Sequence, residues 1–135
     1  LRLIVIPIDD VDEWARHWVP FLPMIARRTK EPLLELVRKV REKEMRLALV
    51  WDDKTESAQA LVGVRLHYRG DDLIGELLWM TGSGRQQWQH LLTDLENLLR
   101  DAGVKEFRPL CRPGWGPLLK QHGYRMTHVQ FEKVL

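Results

Sequence analysis

A chain of 135 residues, 44% hydrophobic and 30% charged, holds enough apolar material for one self-sufficient core and reads as a single domain over residues 1–135. Its 21 Lys and Arg against 19 Asp and Glu leave a formal charge of +2, too balanced to mark a nucleic-acid or anionic-membrane binder. The one cysteine, Cys111, excludes an internal disulfide and suits a reduced cytoplasmic setting, and no apolar run approaches a membrane span.

Residues 2–8 are rich in β-branched side chains and stop at Asp9-Asp10, so they read as a strand rather than a signal peptide. Asp10 and Glu13 have capping-box spacing, and Val11, Trp14 and Trp18 then share a helical face. Pro20, Pro23 and Pro32 divide the next segment into a helix and its connection. Pro32 suits the first turn of a further helix carrying Leu33, Leu36, Val37 and Val40, which should end near Glu44. The basic residues Arg27, Arg28, Lys30, Arg38, Lys39, Arg41, Lys43 and Arg46 are interleaved with Glu31, Glu35, Glu42 and Glu44, as on a solvated helix surface.

Strand character returns at Leu47–Trp51, followed by a polar loop over Asp52–Ser57. Ala58–Tyr68, the turn Arg69-Gly70-Asp71-Asp72 and Leu73–Met80 complete an antiparallel meander. Along the last of these strands alternation places Glu76 with Ile74 and Leu78, and Leu77 with Trp79 on the other face. The strand stops at Thr81-Gly82-Ser83-Gly84, and a helix pattern begins at once. Trp88, Leu91, Leu92, Leu95, Leu98, Leu99 and Ala102 lie on one stripe, Ser83 and Gln86 have capping-box spacing, and Gly103 is the stop. Strand, glycine loop and helix N-terminus together form an arrangement that binds anions through unpaired backbone N–H groups. A plain strand-to-helix turn, needing glycine only for its dihedrals, explains Gly82 and Gly84 equally well.

Val104–Leu110 reads as a strand, Gly116-Pro117 opens a short helix closed by Gly123, and the last segment alternates. Thr127, Val129 and Phe131 take one face there, and His128, Gln130 and Glu132 the other, as in a half-buried strand. The order is β-α-α-β-β-β-α-β-α-β: an α+β fold, a mixed, mostly antiparallel sheet flanked by helices. The five histidines show no metal-ligand spacing with Cys111, so no metal is expected.

That order, with Met80-Thr81-Gly82-Ser83-Gly84-Arg85 between the fourth strand and a long helix, resembles the GNAT N-acetyltransferase superfamily. Gly114-Trp115-Gly116-Pro117-Leu118-Leu119-Lys120-Gln121-His122-Gly123-Tyr124 resembles the family's late helix ending in Gly-Phe or Gly-Tyr. More narrowly the chain is similar to small GNAT-like proteins of tailed bacteriophages. Trp18-Val19-Pro20-Phe21-Leu22-Pro23, Trp88, Arg112-Pro113-Gly114-Trp115 and Gly123-Tyr124-Arg125 carry that likeness.

The resemblance implies acetyl-CoA as cofactor and an unknown amine as acceptor. The cofactor site would comprise Leu78, Met80, Thr81, Gly82, Ser83, Gly84 and Arg85, with Glu76 as catalytic base. Trp79 stands where the family's phosphate loop begins with Arg or Gln, Leu119 where a Tyr often serves as acid, and Arg112 where an Asn is frequent. For Glu76 the plainer alternative is an outward strand residue paired with a basic neighbour, and for most of the six Trp residues it is core packing. A catalytically inactive GNAT-like scaffold, acting as a virion or assembly protein through virion partners or self-association, is the alternative function. Either protein would reside in the host cytoplasm, the scaffold also in the virion.

Overall fold

Five of the strand patterns close into one sheet in the computed structural model, which describes residues 1–82, 90–111 and 113–135. The strands are β1 (Arg2–Val5), β2 (Arg46–Asp52), β3 (Ser57–Arg69), β4 (Asp72–Gly82) and β5 (Val104–Pro109), and they lie side by side in chain order. Neighbours from β1 to β4 are antiparallel, and β5 runs parallel to β4. A parallel neighbour needs a crossover, which α4 (Leu91–Asp101) supplies. The β3–β4 hairpin turns on Gly70-Asp71, with Arg69 opposite Asp72. Gly70 has φ +63°, the conformation such a two-residue loop requires.

Two apolar layers sandwich the sheet. α1 (Ala15–Trp18), α2 (Leu22–Thr29) and α3 (Leu33–Arg41) cover one face, where Trp18, Leu22, Ile25, Leu36 and Val40 pack on Leu47, Leu49, Leu61 and Trp79. The Trp18 indole N–H donates to Val11 O at 2.7 Å, so this large buried ring leaves no polar atom unpaired. On the other face Leu91 and Leu95 of α4 meet Ala48, Val50, Val62, Val64 and Leu77, and Leu92 beside them is buried too. The short α5 (Gly116–Gln121) follows β5.

Several expectations change. Alternation along β4 does not survive Leu78. The β3–β4 register passes from Val64↔Leu77 to Gly63↔Trp79, so Leu78 is an extra residue, a β-bulge. Leu77 therefore packs with α4, while Leu78 and Trp79 both face the α1–α3 layer. The Asp10–Glu13 capping box is not made, because α1 starts after Trp14 without a side-chain cap. Leu98 and Ala102 fall off the helical stripe as exposed residues, while Leu99 still packs with the cluster of Val62, Val64 and Leu77. The sixth expected strand, the last element, does not form: residues 124–135 carry no regular structure, and Phe131 is 90% exposed. An alternating pattern makes a strand only with a neighbour to pair with, and no described strand lies beyond β5. Trp88 and the Ser83–Gln86 cap lie outside the described residues.

Candidate active site

The two edges of β4 are used unequally. Its β3 edge is paired from Asp72 to Gly82, apart from the bulge. Its β5 edge is paired only from Leu73 to Leu77, ending where the Leu110 N–H donates to Leu77 O at 2.9 Å. From Leu78 to Gly82 the strand has no β5 partner, because β5 ends at Pro109, the residue paired with Leu77. The bulge directly follows the last residue of that ladder.

Gly82 ends β4 with φ +148°. A Cβ there would lie 2.3 Å from Gln59 O and 2.4 Å from Ala60 Cα, so only glycine lets the strand end press this closely on β3. Gly63 answers a similar demand farther in, where an added Cβ would lie 2.9 Å from Trp79 Cβ and Cε3. Trp79 is 3% exposed and belongs to the core. That explains why no Arg or Gln stands at its position: the side chain points into the α1–α3 layer.

A cation reaches the strand end from elsewhere. Arg28 of α2 donates through Nη1 to Met80 O at 3.0 Å, and its Nη2 lies 3.6 Å from Met24 Sδ. The buried Thr81 hydroxyl donates to the same sulfur at 2.6 Å. On the α4 side, Met80 and the half-buried Trp115 pack against Leu91, over a crevice of about 20 Å³. That crevice has room for no more than a water. Beyond Leu110 comes Cys111, exposed by surface area although partial desolvation of its sulfur pushes the thiol above its ordinary value. At neutral pH it therefore stays a thiol and is no thiolate nucleophile.

Glu76 lies in the paired half of β4, two residues before the bulge. Its carboxylate accepts from Arg65 Nη2 at 2.7 Å and Nε at 3.3 Å. His67 Nδ1 also stands 3.1 Å from Glu76 Oε1, a distance that suits an ion pair. The approach is off the line of a hydrogen bond, however, and the buried Nδ1 has no aligned partner. Glu76 thus has the basic neighbour of the plainer reading but does not face outward, its side chain being 12% exposed, and the contact brings in His67, which metal-ligand spacing does not reveal. Arg65 and His67 sit on β3 across from Glu76 and Ile74, a proximity written in the hairpin register.

Of the expected cofactor-binding residues, Leu78, Met80, Thr81 and Gly82 form the one-sided run of β4, and Ser83, Gly84 and Arg85 lie outside the described residues. So does Arg112. Leu119 is a half-buried residue of α5 whose carbonyl accepts the Tyr124 N–H at 3.0 Å. The cations of α3 are largely matched by carboxylates: Arg38 with Glu35, Glu42 and Glu44, Lys39 with Glu31, and Arg41 with Asp12. Among the described residues no cluster of three or more His, Cys, Asp or Glu is arranged to hold a metal ion. No helix among them is long and apolar enough to cross a membrane.

No protein-family model matches the chain, and no curated protein matches it in sequence. Solved structures do match in fold. A probable acetyltransferase aligns over 100% of this chain and 97% of its own, with a TM-score of 0.69 and 14% identity. Glucosamine-6-phosphate N-acetyltransferase from Arabidopsis thaliana aligns over 98% of this chain and 97% of its own, with a TM-score of 0.66 and 10% identity. Ribosomal-protein-alanine N-acetyltransferase from Brucella melitensis biovar Abortus 2308 aligns over 100% and 99%, with a TM-score of 0.65 and 10% identity. At these identities the likeness establishes the architecture: the chain has the α+β GNAT fold.

Proposed function

We propose that this chain is an acetyl-CoA-dependent N-acetyltransferase of phage or prophage type, acting on an amine in the host cytoplasm. The observation that carries this reading is the end of the β4–β5 ladder at Leu77, which leaves Leu78–Gly82 paired on one side only. The residues present fit an acyl-thioester arm. An extended, amide-bearing chain can lie along a one-sided strand edge, with the apolar Met80 and Trp115 beside it and the Arg28 guanidinium at the strand end. Arg28 supplies the positive charge that the family pattern would place at Trp79, and the backbone of Gly82, Ser83, Gly84 and Arg85 would cradle phosphate.

Backbone N–H groups near the Leu78 bulge would polarise the thioester carbonyl as the amine attacks. The amine's proton passes to the Glu76–His67 pair, in which Glu76 orients the imidazole once the ring turns into line; such contacts commonly tighten only with substrate bound. Leu119 offers no proton to the departing sulfur. A thiol's ordinary pKa of about 8.5 makes a thiolate an adequate leaving group near neutrality, protonated afterwards from water.

Isothermal titration with acetyl-CoA and a screen of amines for acetyl transfer test this reading. Binding with product formation is expected, with Glu76→Gln and His67→Gln each lowering kcat by about 10²- to 10⁴-fold at unchanged acetyl-CoA affinity. No binding at millimolar acetyl-CoA would end the proposal. Binding without turnover would make the chain an acyl-CoA sensor. The second reading, an inactive virion or assembly scaffold, is supported by Leu119 and by the exposed apolar residues after Tyr124. It predicts that the protein copurifies with particles.

A further inference from the structure

Along the face that carries Glu76, the sheet turns from apolar to ionic. Among the described residues, the α1–α3 layer packs on β3 and β4 through Ala58, Leu61, Leu78 and Trp79. Farther along, Leu77 and Phe107 pack on the α4 side, so alternation puts Glu76 and Arg108 on the opposite face. The register sets Arg65 of β3, Glu76 of β4 and Arg108 of β5 in one row across the sheet. The next row holds His67, the buried Ile74 and Glu106. Arg69 reaches Glu106 at 2.9 Å and Arg108 reaches it at 3.2 Å.

Two carboxylates thus serve three guanidiniums, even with His67 left out of the count. Asp72 stands opposite Arg69 at the far, hairpin end. The surplus of positive charge is therefore sharpest in the row nearest the end of the β4–β5 ladder, where Arg65 and Arg108 flank Glu76 alone. Neither cation is sealed by its partner. The Arg65 side chain is 51% exposed where Glu76 is 12% exposed, and Arg108 meets Glu106 only through Nε and Nη2, the latter at 3.4 Å. A guanidinium has donors on all three nitrogens, so each keeps capacity for a further pair of anionic oxygens.

We infer that the acceptor is an amine bearing an anionic group, a carboxylate or a phosphate, a few bonds from its nitrogen, and that Arg65 and Arg108 bind that group. The inference rests on the acetyl-transfer reading and names the acceptor class for it. A nitrogen that gives its proton to the Glu76–His67 pair lies beside Glu76, and the two guanidiniums of the same row are then in reach of its substituent. The anion supplies the charge the row lacks and holds the nitrogen at the base. An acceptor with no anion, such as a polyamine, brings a further cation to a row already in surplus, so the same residues that attract one class disfavour the other.

The test compares amine pairs that differ in the anion: β-alanine with its amide, and phosphoethanolamine with ethanolamine. Each is titrated into the intact 15N-labelled chain with coenzyme A present, following the Nε–Hε signals of Arg65 and Arg108, and each is assayed for acetyl transfer from acetyl-CoA. In at least one pair the anionic member should shift both signals and surpass its neutral partner about tenfold in affinity and in kcat/KM. Which pair does so tells carboxylate from phosphate. Arg108→Gln should remove most of that preference, and Arg108→Lys should restore part of it. Neutral amines bound and acetylated as well as the anionic ones overturn the inference and leave the acetyltransferase reading standing. So does a parent chain whose Arg65 and Arg108 signals stay unmoved by either anionic amine, a result that needs no variant to fold. Anionic amines that bind at these arginines while no amine is acetylated would remove the transferase reading and leave the anion site in place.

Discussion

The two halves of β4 share a strand, a β3 partner and an apolar composition, yet they do different things. Leu73–Leu77 is clamped on both edges, whereas Leu78–Gly82 is held on one. The difference lies in where β5 stops, at Pro109 opposite Leu77. Beyond that point an extra residue at Leu78 bulges the strand, and a glycine at its end allows close contact with β3. A binding edge is made by withholding a neighbour from a strand that is otherwise firmly anchored.

The firmest anchor of the one-sided half is Trp79, and removing it should have the largest effect. Trp79→Ala should cost about 3–5 kcal/mol in urea unfolding, as for other buried aromatic truncations, with acetyl-CoA affinity of the folded fraction little changed. A loss of affinity without a loss of stability would instead make Trp79 part of the ligand site. Next comes Gly82→Ala, which forces a Cβ toward Gln59 O and Ala60 in a conformation suited to glycine. About 3 kcal/mol of destabilisation is expected, read from the same denaturant midpoints. Gly63→Ala pushes against the free end of Met45 and against Cβ and Cε3 of the tightly packed Trp79, so about 1–3 kcal/mol is expected. Part of that cost should vanish in a Trp79→Leu background, as a double-mutant cycle would measure.

Much of this was legible from the residues and some was not, for identifiable reasons. The hairpin at Gly70-Asp71 and the strand ending at Gly82 follow from turn chemistry, which is local. The bulge was hidden because Leu77-Leu78-Trp79-Met80 is apolar throughout, and a uniform run carries no parity to break. Phe131 and Val129 alternate as a strand requires, but pattern cannot supply the partner that makes a strand. Arg28 looked like part of a solvated basic surface because its meeting with Met80 O spans 52 positions of sequence. The Glu76–His67 contact was derivable once the hairpin register was fixed, and spacing along one strand could not reveal it.

Smaller effects separate the halves further. Arg28→Ala should leave stability within about 0.5 kcal/mol, since the side chain is exposed, while weakening acetyl-CoA binding about tenfold by titration. Arg27→Ala is the control and should change neither. In the clamped half, the Arg108 hydrogen bond, with Arg69 nearby, holds the Glu106 carboxyl below its ordinary value of 4.5. A depressed carboxylate adds stability above its unfolded pKa, and that contribution is lost as pH falls through the folded value. Thermal unfolding of Glu106→Gln should therefore trail the parent slightly at pH 6, and the two curves should converge toward pH 3. A gap that widens in acid would contradict this assignment. Being exposed, the pair should give the smallest effect of the set.

The central claim is that the one-sided run of β4 is a ligand edge. Amide chemical-shift mapping of the 15N-labelled chain against acetyl-CoA tests it residue by residue. The expected result is saturable shifts at Leu78–Gly82, Cys111 and the Arg28 side chain, with Leu73–Gly75 unmoved. Shifts confined to the clamped half or to the outer edge of β5, or none at millimolar acetyl-CoA, would contradict it.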